Sequence, residues 1–191
     1  MEEKTVANGV IRLYLDSVES ILGTNGARAL LNYTNMTYLW ENKPDYSFEK
    51  NYTDKEYGAL IINLYQILGA GGAKAIFRQL GKTIAERTIS LGIFDSVKEL
   101  PPKERLKGAV DIYILASGRG VITLDESLLT FDNAPCATCH GITSEDPVCT
   151  IINGFLDTLA AWCGFKRARS REVLCKAMGD ATCRYLMHLS E

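Results

Sequence analysis

Apolar residues in the first half of the chain recur at helical spacing. Val6, Val10, Leu13, Tyr14, Val18, Ile21 and Leu22 form one stripe, the period of a helix that buries one face. Gly23 predicts its end. A second helix is expected from Ala27 to Trp40 through Leu30, Leu31 and Leu39, and Pro44 with its polar neighbours reads as a loop. Thr53-x-x-Glu56 is a capping box. It opens a third helix with the stripe Leu60, Ile61, Leu64, Tyr65 and Leu68. The glycine-rich run Gly69 to Gly72 breaks that stripe. It follows a helix and lacks the Lys-Ser/Thr of a phosphate loop, so it predicts a tight turn and not a nucleotide site. A fourth helix is expected from Ala73 to Leu91, and Pro101-Pro102 starts a fifth through Leu106, Val110 and Ile114.

The second half changes pattern. Arg119 to Asn133 reads as two short strands around a turn. Asp146-Pro147 predicts the start of a helix carrying Val148, Ile151, Ile152, Phe155, Leu159 and Trp162, closed by Gly164. Phe165 to Leu189 predicts a β-hairpin around Met178-Gly179-Asp180. Helices followed by strands, with one helix among them, indicate an α+β fold: an antiparallel sheet with a packed helix behind a helical N-terminal half. One domain is expected over residues 1–191, mainly helical over 1–117 and strands plus one helix over 118–191. No internal repeat or low-complexity tract is read from the chain.

Composition narrows the function classes. The chain has 191 residues, 47% of them hydrophobic, enough to fill one core. A formal charge of −2 weighs against direct nucleic-acid binding, which needs a basic surface. Met1-Glu2-Glu3-Lys4 is not followed by the apolar run of a secretory signal. No uninterrupted apolar stretch approaches the ~18 residues of a membrane-spanning helix. The expected location is therefore cytoplasmic. Six cysteines in that compartment point to metal, redox chemistry or buried thiols before disulfides.

Cys136-x-x-Cys139-His140 matches a haem c attachment signature, but covalent haem attachment takes place outside the cytosol, and the missing export signal speaks against it. Cys175 and Cys183 are equidistant from Gly179, so a three-residue turn would oppose them with Cβ atoms ~4.5–5.5 Å apart. Two such thiolates can share one tetrahedral metal at Zn–S distances of ~2.3 Å. Cys149, on the first turn of the preceding helix, offers a third ligand, and Glu172 a fourth. Three residues from Cys175, Glu172 would face away in a regular strand; a β-bulge near Arg171 to Val173 would correct that. The shared parity of Arg167, Arg169 and Arg171 with Val173 and Cys175 calls for the same register shift. From these residues alone, core-filling thiols and a cross-strand disulfide remain open readings.

The stretch "REVLCKAMGDATCRYLMHL", with the upstream "DPVC" and its helix, resembles the 4-vinyl reductase domain family. Glu172, Cys175, Gly179, Asp180, Cys183 and Tyr185 match its C-terminal signature, and "ILGTNGARALLNY" and "LGAGGAKAIFRQLG" resemble its helical half more loosely. The resemblance implies an α+β fold similar to subunits of the transport protein particle tethering complex and to the aromatic-sensing domains of phenol-responsive activators. In those sensors three Cys and one Glu hold a zinc, which implies Cys149, Glu172, Cys175 and Cys183 here. It also implies a pocket for a hydrophobic small molecule and a homodimer formed through the helical half. The ATPase and DNA-binding domains of the activators have no counterpart here.

These readings define a sensor-like binding domain for a small hydrophobic or aromatic ligand with a structural metal site; they lean against an enzyme and leave that question open. The alternative is an iron–sulfur redox enzyme or accessory factor of (bacterio)chlorophyll or tetrapyrrole metabolism, its cluster also using Cys136 and Cys139, since no dinucleotide fingerprint supplies electrons. A third reading is a scaffold or assembly factor. Cys136 and Cys139 otherwise form a redox pair or a loop beside the metal. His140 is a reserve ligand, His188 is expected to be structural or exposed, Trp162 to sit in the core or line a pocket, and the three arginines to form a solvated face.

Overall fold

Two long helices, each kinked once at a glycine, carry most of the N-terminal half. The computed structural model describes residues 2–139 and 141–189. In chain order the elements are β1 Val6–Ala7, α1 Asn8–Tyr33, α2 Tyr38–Glu41, β2 Lys50–Tyr52, α3 Asp54–Ser90, α4 Pro102–Ser117, β3 Val121–Asp125, β4 Leu128–Asn133, α5 Thr150–Trp162, β5 Ser170–Leu174 and β6 Cys183–His188. The fold is α+β as expected, with helices first and a four-stranded antiparallel sheet, order β3-β4-β6-β5, in the C-terminal half.

The expected capping box opens α3. Thr53 Oγ1 accepts the Glu56 N–H at 3.1 Å, and the Glu56 carboxylate accepts the Thr53 N–H at 2.8 Å. The expected helix breaks fall at Gly23 and Gly69, whose φ/ψ of 72°/171° and 67°/166° are non-helical, so α1 and α3 are each two helical segments that meet at a kink. Only glycine adopts that region without strain. The flanking sequences match as well: Ile21-Leu22-Gly23 with Gly26-Ala27, and Ile67-Leu68-Gly69 with Gly72-Ala73. The chain thus holds a short repeat that the sequence reading denied, because one backbone turn followed by a helix restart is built twice. The helix expected over Ala27 to Trp40 is divided: α1 ends at Tyr33, and α2 is a separate short turn. The two-stranded pair β1–β2 was not anticipated, and Val6, read as the first helical residue, lies in it.

Among the described residues α3 alone is long and apolar enough, by length and composition, to cross a membrane. It packs along α1 and α5. α5 is buried nearly all round, between α3 and the sheet. Two glycines permit this close approach. A Cβ on Gly81 of α3 would overlap the Ile151 carbonyl, and one on Gly154 of α5 would overlap the Arg78 carbonyl. On its other side α5 is tied to β5: Asn153 Nδ2 donates to Ser170 O at 3.1 Å, and Asp157 accepts from the Ser170 N–H at 2.6 Å. Asp157 also pairs with Arg78 of α3.

The inner face of the sheet carries the row Ile122–Phe131–Tyr185–Glu172 across its four strands. Apolar residues fill three strands of this row and a carboxyl the fourth. That carboxyl lies beside the functional site.

The helix contact yields a stability prediction. Gly154→Ala forces α3 and α5 apart and is expected to cost at least about 1–3 kcal/mol, the penalty of overpacking. Gly71→Ala, where a Cβ meets nothing within 4 Å, is expected to gain about 0.5–1 kcal/mol from helix propensity. Urea denaturation of both variants measures the contrast.

Candidate metal centre

Four separate segments deliver sulfur to one end of the sheet. β4 ends at Asn133, and the loop after it carries Cys136 and Cys139. Cys149 is the residue immediately before α5, one position earlier than the first-turn placement expected from sequence, because the helix starts at Thr150 and not at Pro147. Cys175 follows β5 and Cys183 begins β6. All five thiols are buried and none is in a disulfide.

The expected β-bulge is present. Glu172 pairs with Tyr185 and Leu174 with Arg184, so the register shifts at Val173. Val173 is turned outward at 41% exposure while Glu172 and Cys175 are both buried. The shift does what the parity problem required: it puts a carboxylate and a thiol three residues apart on one side of a strand. The connection is not a three-residue turn. A short 3-10 turn at Lys176–Met178 leads to Gly179 at φ 99°. The Cys175 N–H donates to the Asp180 carboxylate at 2.7 Å, closing the wider loop. That loop is clipped to the cysteine loop by Ser144 N–H donating to Ala177 O at 2.9 Å.

The donor atoms converge. Ligand atoms of Cys149, Glu172, Cys175 and Cys183 lie within 4.8 Å of one another, and so do those of Cys136, Cys139, Cys149 and Cys183. The sulfur separations are 3.5 Å for Cys136–Cys149, 3.4 Å for Cys139–Cys183 and 3.8 Å for Cys149–Cys183. Two sulfurs bound to one tetrahedral ion at ~2.3 Å are separated by about 3.8 Å. These three pairs therefore stand close to single-ion spacing. Cysteines of an iron–sulfur cubane bind different irons and stand further apart.

Electrostatics point the same way. Glu172 Oε2 accepts the Cys149 N–H at 3.2 Å, while Oε1 is buried without a hydrogen-bond partner among the described residues. Burial, and then the neighbouring Cys175, push the Glu172 carboxyl up to about 9. Hydrogen bonding to Cys136 pushes Cys139 up to about 12 and raises Cys149 and Cys183, whereas thiol donors led by Cys139 pull Cys136 and Cys175 down. A buried set of this kind cannot carry full negative charge alone. A cation would supply the countercharge and a partner for Glu172 Oε1. Peripheral donors are in place: Lys176 N–H to Cys183 Sγ at 3.4 Å, Asn133 Nδ2 towards Cys136 Sγ at 3.6 Å, and Tyr185 OH to Cys149 O at 3.4 Å.

The structure thus assembles the four residues selected from sequence and adds Cys136 and Cys139, whose Cys-x-x-Cys spacing was the signal available for them. Both sulfurs face into the cluster. His140 lies outside the described residues. His188 is exposed, as are Arg167, Arg169 and Arg171. Trp162 is half-buried beside Phe94. Cys163, the sixth cysteine, is buried apart from the others, and burial raises its thiol to about 12. Asn133 and Tyr185 OH were not singled out as supports of the site, because their roles depend on strand register.

No family model matches the chain, and no curated protein matches it. Solved structures do. An H-NOX domain from Tt carrying two substitutions aligns with a TM-score of 0.61 at 10% identity over 97% of this chain and 96% of that one. The phenol-responsive sensory domain of the transcription activator PoxR, with phenol, aligns with a TM-score of 0.54 at 17% identity over 71% of this chain and 74% of that one. Trafficking protein particle complex subunit 3 from Naegleria fowleri, covalently bound to palmitic acid, aligns with a TM-score of 0.52 at 13% identity over 72% and 93%. A vinyl-4-reductase family protein from Methanocaldococcus jannaschii is also among the matches, at 14% identity and a TM-score of 0.45. At these identities the likeness is one of fold, and it is the fold implied by the hairpin resemblance.

Metal removal is the corresponding test. Chelation under reducing conditions is expected to lower Tm and expose Cys136, Cys139, Cys149, Cys175 and Cys183 to alkylation together. An unchanged Tm would contradict a metal-supported site. Because an ion must displace protons from raised groups such as Cys139 and Glu172, reloading is expected to release protons and to weaken as pH falls, which titration in weak buffer measures.

Proposed function

We propose that the chain is a sensor-like domain that binds a small hydrophobic or aromatic molecule, with a structural zinc held by Cys149, Glu172, Cys175 and Cys183. The observation carrying this reading is an apolar cavity of about 70 Å³ against the first turns of α5. Ile151, Ile152 and Phe155 line it, and Cys149 immediately precedes them. Tyr57 and Tyr113 line it too. Burial is the main cause raising both hydroxyls, and nearby Cys136 is among the lesser ones. Cavity and cysteine cluster are therefore neighbours joined by one helix.

The cavity is smaller than the ~150 Å³ that admits benzene. An aromatic ring would have to displace lining side chains, and displacement of Ile151, Ile152 or Phe155 would load the start of α5 beside Cys149. Such a ligand favours whichever α5 position accommodates it and thereby shifts the population. A closed set of three sulfurs and one oxygen leaves no open coordination position, which suits a structural role. Phenol and palmitic acid, found with two fold neighbours, share the apolar chemistry of this lining. An apolar pocket beside the cluster favours this reading over a scaffold. The homodimer is proposed to form through the helical half, where Ile67 beside the Gly69 kink is an exposed apolar residue. A reducing, cytoplasmic setting would keep the thiols available.

Phenol and palmitic acid are the probes. Saturable binding of at least one, by calorimetry, is expected with the zinc-loaded protein. Ala116→Phe, which fills the cavity, is expected to weaken it at least tenfold while leaving the metal content unchanged. Failure of both probes to bind, or full binding by the filled variant, would overturn the ligand reading.

A further inference from the structure

The cluster contains more donors than one ion needs. Five thiols and one carboxylate converge, and they divide into two four-donor groups that share Cys149 and Cys183. Two tetrahedra that share an edge require six donors, and six are present. We infer that the cluster is a binuclear, thiolate-bridged centre. Cys136 and Cys139 are terminal ligands of one ion, Glu172 and Cys175 are terminal ligands of a second, and Cys149 and Cys183 bridge both. This rests on the metal-site reading above and adds a second ion to it.

Three observations support the assignment. The shared edge, Cys149 Sγ to Cys183 Sγ, is 3.8 Å, the separation expected for two sulfurs on a common tetrahedral ion. The first group has its own close contacts, with Cys136 at 3.5 Å from one bridge and Cys139 at 3.4 Å from the other. The second group contains the buried Glu172 Oε1, unpartnered among the described residues. A single ion in either group would leave two cysteines, or a cysteine and a carboxyl, buried beside it and uncoordinated. Two divalent ions serve all six donors and balance most of their charge. The sites differ in chemistry: one is all sulfur, the other three sulfurs and one oxygen. Both suit a soft, four-coordinate, redox-inactive ion such as zinc, or cadmium as its probe.

The test counts ions. Protein stripped under reducing conditions and reloaded with zinc is weighed by native mass spectrometry, and cadmium-loaded protein is examined by cadmium NMR. Two ions per chain and two cadmium resonances are expected. The double variant Cys136→Ser/Cys139→Ser is expected to keep one ion and lose the all-sulfur resonance. Glu172→Ala/Cys175→Ser is expected to keep one ion and lose the mixed resonance. One ion in the unaltered protein, retained when Cys136 and Cys139 are replaced, would overturn the second site but leave the Cys149, Glu172, Cys175 and Cys183 reading standing. One ion lost with that replacement would overturn both, as would no ion at all. Iron with acid-labile sulfide in the purified protein would also overturn the inference. The count on the unaltered protein decides the question even where a double variant does not fold.

Discussion

Six ionisable groups gathered out of water at one end of the sheet set the terms for the C-terminal half. Burying charge is costly without a partner, and Cys136, Cys139, Cys149, Glu172, Cys175 and Cys183 offer one another hydrogen bonds but no positive charge. A bound cation would let these groups ionise together. With one bound, the cysteine loop, the start of α5, the bulged strand and the terminal hairpin are held to a common point. An interaction of this kind contributes directly to folding, because the ligand set does not exist in the unfolded chain.

The placement of α5 makes that end of the molecule sensitive to its middle. The helix is locked between a glycine-lined contact with α3 and hydrogen bonds to β5, and its first turns wall the cavity. Tyr113 extends the link across the sheet. Its ring lies 4.9 Å from that of Phe155 and 6.2 Å from that of Phe131, which stacks on Tyr185 at 6.0 Å. Tyr185 in turn donates to the Cys149 carbonyl. Cavity, sheet and thiol cluster thus form one packed unit. Packed interiors move between discrete arrangements and do not deform continuously, so a ligand that repositions α5 would be felt at Cys149.

Much of this was legible in the sequence where local chemistry decides structure. Thr53 and Glu56 announce α3. The clash between the arginine parity and Cys175 announces the bulge at Val173, and with it the inward turn of Glu172. The four residues read as ligands lie within reach of one another for that reason. Long-range features were less legible. The pairing of Val6–Ala7 with β2 depends on a partner more than forty residues away, so its two residues passed for the start of a helix. The breaks at Gly23 and Gly69 were legible from the glycines themselves; the close join of the segments on either side was not, although the repeated flanking sequence marks it. Cys136 and Cys139 carried a recognisable spacing. Their place beside Cys149 and Cys183 depends on where the loop after β4 folds back, which spacing alone does not state.

X-ray absorption at the zinc edge on the purified, reduced protein tests the central claim most directly. The account predicts zinc with a shell dominated by sulfur at ~2.3 Å and a minor oxygen contribution. Protein without metal, with its close cysteine pairs joined as disulfides, would contradict it.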